Sequence, residues 1–180
     1  MISDLPYVFP HTDSGYISVN VSAVQLRGEA FVSLLLDEIH SRSIPVSRVV
    51  VEVTETALIH DPEHSRRELA RLHDSGIRVA LDDFGTGYSS LSWLTRFPVD
   101  IVKIDRAFTA DLGIDDRKTS VVAAMISVSH DLSFSVVAEG VETEDQRDRL
   151  LSLGCDRGQG YLFGRPELLS SAAAVPTLGG

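Results

Sequence analysis

Two periods of hydrophobic positions alternate along the chain. The period of two, or a short unbroken apolar run, marks strands at 16–22 (YISVNVS), 48–53 (RVVVEV), 79–81 (VAL), 99–105 (VDIVKID) and 133–138 (SFSVVA). The helical period marks 23–42, with Phe31, Leu34, Leu35 and Ile39 on one stripe and Gly28 at the boundary of its main part. Asp61–Pro62 opens the next helix, 63–75, whose stripe is Leu69 and Leu72, with Arg66, Arg67 and Arg71 expected in water on its outer face. Gly76 breaks it. Ser89 or Ser90 caps a short helix after the central strand, 117–131 is the most apolar helix, and a last helix begins near Thr143 and closes at Gly154. His130 and Asp131 read as capping and solvent contacts, and Met125 as core filler. Residues 106–116 read as a linker or irregular turn, and 155–163 as a sixth strand or loop anchored by Tyr161, Leu162 and Phe163. Strands alternating with helices favour a parallel sheet with crossover connections.

Size and charge narrow the reading. A length of 180 residues, 43% hydrophobic and 23% charged, describes one ordinary globular domain. The formal net charge of −10 argues against a broad DNA or RNA surface, although a phosphate ligand is still reachable through a metal or a local lysine. Cys155 is the single cysteine, which removes disulfides and thiolate metal clusters and fits a cytoplasmic setting. The first residues lack the pattern of a signal peptide, and no run reaches the ~18 apolar residues of a membrane span. Residues 1–15 form an arm in which Tyr7 and Phe9 dock on the body or stack on a ligand, and the tail from Ser170 frays after a helical turn begun by Pro166.

The chemistry sits at strand ends. Asp82 and Asp83 close the central strand, and Gly85 and Gly87 let backbone approach whatever those acids hold. Two neighbouring carboxylates call for a cation or a shared proton. Asn20, Glu52, Lys103 and Glu139 each fall at or near the end of a different strand run, and Gln159 lies between two glycines of a late turn. In parallel sheets that edge carries the active groups. Each residue also has a plainer reading: Asn20 in a core hydrogen bond, Lys103 in an ion pair with a nearby acid, Glu55 at the surface. Glu52 does not have that last option, because it interrupts an apolar run. An oxygen-only donor set suits Mg²⁺ or Mn²⁺ and not structural zinc. Two such ions clamp a phosphodiester and activate a water for in-line attack.

At these positions the sequence resembles the EAL family of cyclic di-GMP phosphodiesterases. The matching segments are SVNVSAVQL (18–26), VEVTET (51–56), LDDFGTGYSSLSWL (81–94), VDIVKID (99–105), AEGVET (138–143) and GQGYLFGRP (158–166). The resemblance implies a modified (β/α)₈ barrel that opens cyclic di-GMP to linear pGpG with Mg²⁺ or Mn²⁺. It assigns Asn20, Glu52, Asp82, Asp83 and Glu139 to the metal centre. It gives Lys103, with Asp105 as its acidic neighbour, the positioning of the catalytic water, Gln159 a place beside water and phosphate, and Glu142 the support of the local loop. Glu139 counts among the catalytic residues as well.

The chain departs from the family where the first two strands and the Glu-Ala-Leu motif would stand. The expected fold is therefore an incomplete α/β (β/α)₈ barrel of about six strands with two open sheet edges. Its expected layout is an arm at 1–15, the truncated domain at 16–166, and a helical turn and tail at 167–180. Catalysis is expected to be lost or severely reduced, with a binding or interaction module as the alternative. A homodimer through 82–94, or a partner covering the open edges, is the expected assembly.

Overall fold

The computed structural model describes residues 16–28, 30–86 and 94–165. The expectations for the 1–15 arm with Tyr7 and Phe9, for Gly87, for a helix capped at Ser89 or Ser90, and for the turn and tail from Pro166 lie outside the described residues. Six strands follow sequence order in one sheet: β1 (Ile17–Val21), β2 (Val49–Thr54), β3 (Arg78–Phe84), β4 (Ile101–Ile104), β5 (Ser135–Ala138) and β6 (Arg157–Gly158). The pairs β1/β2, β4/β5 and β5/β6 are parallel. The α/β class and a partial barrel complement of strands are those the sequence led us to expect. The chain divides into two compact units, which among the described residues comprise 16–80 with 94–99, and 81–86 with 100–165.

In the first unit the apolar run of β2 is buried from Val49 through Val53, as expected for a strand covered on both faces. Where one helix was expected after β1, two form, α1 (Ala23–Leu26) and α2 (Phe31–Ser41), on either side of Gly28. Ser22 caps α1 and Gln25 reciprocates, so a four-residue helix has both ends of its first turn satisfied. The buried stripe of α2 is Val32, Leu35 and Ile39. Leu34, expected on that stripe, is 65% exposed, because it sits about 100° around the helix from Leu35. A further helix, α3 (Glu55–Ile59), buries Ala57 and Leu58 directly after β2. Asp61 then caps α4 (Pro62–Asp74), with Pro62 in its first turn and Leu69 and Leu72 inside. As expected, Arg66, Arg67 and Arg71 of α4 are exposed; Arg66 pairs with Glu63 at 3.5 Å, and Arg71 reaches both Glu68 and the Ser33 hydroxyl at 2.7 Å.

In the second unit the stretch expected as irregular opens with a helical turn, α5 (Arg106–Thr109), which the Asp105 side chain caps through the Ala107 N–H. Asp115 caps α6 (Asp116–Asp131), accepting from the N–H groups of Arg117 and Lys118. Val122 and Ile126 of α6 meet Ile104, Val136, Ala138, Cys155 and Leu150 in the core, the last from α7 (Glu144–Ser152). Thr143 and Gln146 form the capping box that starts α7. Met125 fills against this core, and so do Leu162 and Phe163. Tyr161 does not anchor with them: it is 56% exposed, with the Arg165 guanidinium over its ring. His130 does more than meet solvent, since its Nε2 lies 2.9 Å from Asp156 Oδ2, an oxygen that also accepts the Val136 N–H. No helix among the described residues is long and apolar enough to cross a membrane.

Candidate metal centre

Asn20 and Glu52 are partners in the register of β1 and β2. Parallel neighbours at the same register project to the same side of a sheet, so the amide and the carboxylate share a face of the first unit. Asn20 is exposed, whereas Glu52 is 7% exposed. Glu55, expected at the surface, is 5% exposed, because α3 begins at that residue and packs back on the unit. Both glutamates are engaged in polar or electrostatic contacts, as buried carboxylates require.

The second unit gathers the central acids. β3 runs on past Asp82 to Phe84, and Asp83 sits inside it at φ +57, the left-handed region that costs most residues energy but that aspartate tolerates. The twist is held from both sides. The Asp83 N–H donates to Asp82 Oδ1 at 3.1 Å, and the Asp83 carbonyl accepts the Thr86 hydroxyl at 2.8 Å and the Thr86 N–H at 3.2 Å. Carboxylate oxygens of Asp82, Asp83 and Glu139 lie within 4.8 Å of one another. Lys103, only 5% exposed on β4, places its Nζ 3.0 Å from Asp82 Oδ1 and 2.7 Å from Glu139 Oε1.

One ammonium facing three carboxylates leaves negative charge in excess. Burial, with repulsion from Asp82 and Asp105 after it, holds the Asp83 carboxyl above its ordinary range, against the opposing pull of Lys103. Hard oxygen donors under mutual repulsion are what a small divalent cation relieves, so the residues present fit Mg²⁺, Mn²⁺ or Ca²⁺.

The remaining candidates fall around this cluster in different ways. Asp105 lies just past the end of β4, and its carboxylate caps α5. Its charge nonetheless reaches Asp83. Gln159 is exposed, and its backbone bridges Ala138 and Val141 through bonds of 2.8 and 3.0 Å. Glu142 pairs with Arg106 at 2.7 Å across the loop after β5. Burial pushes the Cys155 thiol up to about 11, which makes it a core residue and not a nucleophile at neutral pH. Sequence reasoning did not single out Arg106, Phe108 and Thr109, which hold the acid-bearing loops from behind. Thr109 shows itself only as a polar side chain at 0% exposure, a property that needs the fold to become visible.

Comparison with known proteins is consistent across sequence and structure. The sequence pattern of the EAL domain matches residues 9–166. The cyclic di-GMP phosphodiesterase RocR of Pseudomonas aeruginosa is 42% identical over 153 residues, which cover 83% of this chain and 38% of RocR. The signaling protein YkoW of Bacillus subtilis is 39% identical over 157 residues, 86% of this chain and 20% of YkoW. The chain thus spans between about a fifth and two fifths of these relatives' lengths. Among solved structures, the PaMucR phosphodiesterase in complex with c-di-GMP superposes with a TM-score of 0.83 at 38% identity, covering 92% of this chain and 66% of that one. Klebsiella pneumoniae BlrP1, in a manganese and cyclic di-GMP complex, gives 0.83 at 35% identity, covering 92% and 42%.

Proposed function

The chain belongs to the EAL domain family, and from that premise we propose that its acidic cluster holds Mg²⁺ or Mn²⁺ and engages cyclic di-GMP through the ion. The observation that carries this reading is the meeting of Asp82, Asp83 and Glu139 around Lys103. Neighbouring structures described as c-di-GMP complexes, one with manganese, support the choice of ligand and ion. A bound divalent ion neutralises phosphodiester charge and lowers the pKa of a coordinated water.

The three carboxylates supply oxygen ligands, and the resemblance adds Asn20 and Glu52 as further ones. Lys103, oriented by Asp82 and Glu139, donates to a water or phosphate oxygen and offsets developing charge. Asp105 keeps the Lys103 strand end in place through the α5 cap, and Gln159 offers its amide beside the phosphate. The functional domain proposed is 16–166. The proposed setting is cytoplasmic, in keeping with the single buried thiol. The proposed assembly is a homodimer through 82–94, or a partner laid along β1 or β6, the strands that end the sheet order.

Hydrolysis to pGpG by these 180 residues is proposed to be lost or severely reduced, since they contain no Glu-Ala-Leu triplet and therefore not the carboxylate the family takes from it. That same gap favours a second reading, binding without turnover. Conversion of cyclic di-GMP to pGpG with Mn²⁺, measured beside Asp82→Ala, tests catalysis. A rate above that of the variant shows competence, and an equal rate rejects it. Calorimetry with cyclic di-GMP and Mn²⁺ separates the two readings: heat without turnover leaves a binding module, and no heat removes the ligand.

A further inference from the structure

A single helical turn, α5, touches both acid-bearing segments of the second unit. On one side the Phe108 ring lies under Gly85, so close that a Cβ there would stand 2.9 Å from Phe108 Cε2 and 2.8 Å from Met125 Cε. Gly85, at φ +97, closes the turn in which Thr86 holds the Asp83 carbonyl. On the other side the Thr109 hydroxyl donates to the Glu139 carbonyl, with Arg106 O a longer contact at 3.2 Å. Arg106 lies across Gly140, where a Cβ would collide with its side chain, and ends on Glu142 at 2.7 Å. The Glu139 N–H donates to Ile104 O at 3.0 Å, so the backbone of Glu139 is gripped at both its amide and its carbonyl.

We propose that α5 is a strut that fixes the Glu139 carboxylate relative to Asp82 and Asp83, and that Thr109 is its positioning residue. The reasoning is mechanical. Thr109 is 0% exposed and polar, and its hydroxyl meets a carbonyl belonging to a residue of the acidic cluster. Without that hydroxyl a part-buried carbonyl loses its donor, the 139–140 peptide turns to find another, and the Glu139 carboxylate moves with it. Phe108, three residues into the same turn from its cap, keeps the Asp83 loop seated, so one short element registers two loops that are distant in sequence. The role toward the ion rests on the metal reading of the cluster above, and the strut itself does not.

Thr109→Val keeps the shape and removes the hydroxyl, and Thr109→Ser keeps the hydroxyl. Amide hydrogen exchange on the metal-free protein should show the Glu139 and Gly140 amides exchanging about tenfold faster in Thr109→Val, with amides of α6 and α7 unchanged and Thr109→Ser close to wild type. Mn²⁺ titration should show about tenfold weaker binding in Thr109→Val, recovered in Thr109→Ser, against Glu139→Gln as the reference for a lost ligand. Unchanged exchange at 139–140, a uniform rise through β4, α6 and α7, or a serine variant no better than valine each overturns the strut. Wild type and Glu139→Gln that bind Mn²⁺ equally poorly remove the metal reading instead, and the exchange rates then decide the strut alone.

Discussion

The carboxyl of Asp83 is held against its own preference for charge. The residue's φ of +57 lies in the left-handed region, which aspartate tolerates, but its carboxyl is held above the ordinary range by burial and by Asp82 and Asp105. A folded-state pKa raised in this way leaves the fold unpenalised below the unfolded value of the acid, and the penalty grows as pH rises through the folded value. Asparagine tolerates the left-handed region and carries no charge. Asp83→Asn should therefore melt at a higher temperature than wild type at pH 7 without divalent ions, and the gain should disappear as the pH falls below the carboxylate range. Mn²⁺ should reverse the order, raising wild type more than the variant. Melting curves across pH with and without Mn²⁺ check both statements, and a variant no more stable at pH 7 sinks the account of a penalised carboxylate. The sequence already made Asp82, Asp83, Lys103 and Glu139 readable, because a charged residue at the end of an apolar strand run is costly and needs a reason. Glu55 was not readable in that way. It follows the exit of β2, where an acid looks solvated, and only the packing of α3 puts it inside.

Elements announced themselves in proportion to their length. Asp61–Pro62 before α4 and the Thr143/Gln146 pair before α7 are capping signals that the structure realises as hydrogen bonds. α3 and α5, of five and four residues, are too short to show a helical period, and their formation depends on tertiary contacts. For α5 those contacts include the face it shares with Gly140, at φ +66 beneath the Arg106 side chain. Gly140→Ala should cost more than ~1 kcal/mol, from left-handed backbone strain plus the collision. In an Arg106→Ala background the contacts with Cγ and, at 2.9 Å, Cδ are gone and only that with Cβ at 2.7 Å remains beside the backbone part, so the same substitution should cost less there. Urea unfolding of the four proteins in this double-mutant cycle reads the difference directly. Equal costs in both backgrounds show that the Arg106 side chain beyond its Cβ does not press on residue 140.

At the scale of the molecule, strand and helix alternation made the parallel sheet legible, whereas the division into two compact units was not, because it arises from contact density and not from any period in the sequence. The whole acidic cluster with Lys103 belongs to the second unit. Long-range charge then sets an order of binding. The chain carries a formal net charge of −10, and a cyclic dinucleotide brings two phosphodiester charges toward a cluster of three carboxylates. Lys103 is already shared between Asp82 and Glu139 and has little attraction to spare. Cyclic di-GMP alone should consequently leave the melting temperature unchanged. Mn²⁺ alone, at a hundred times its dissociation constant, should stabilise the fold by ~2.7 kcal/mol through mass action. The nucleotide added after Mn²⁺ should raise stability further, and Glu139→Gln should remove both increments. Thermal melts under these four conditions suffice: a nucleotide shift of the same size with and without Mn²⁺ means that the ligand is held by the protein surface and not by an ion at Asp82, Asp83 and Glu139.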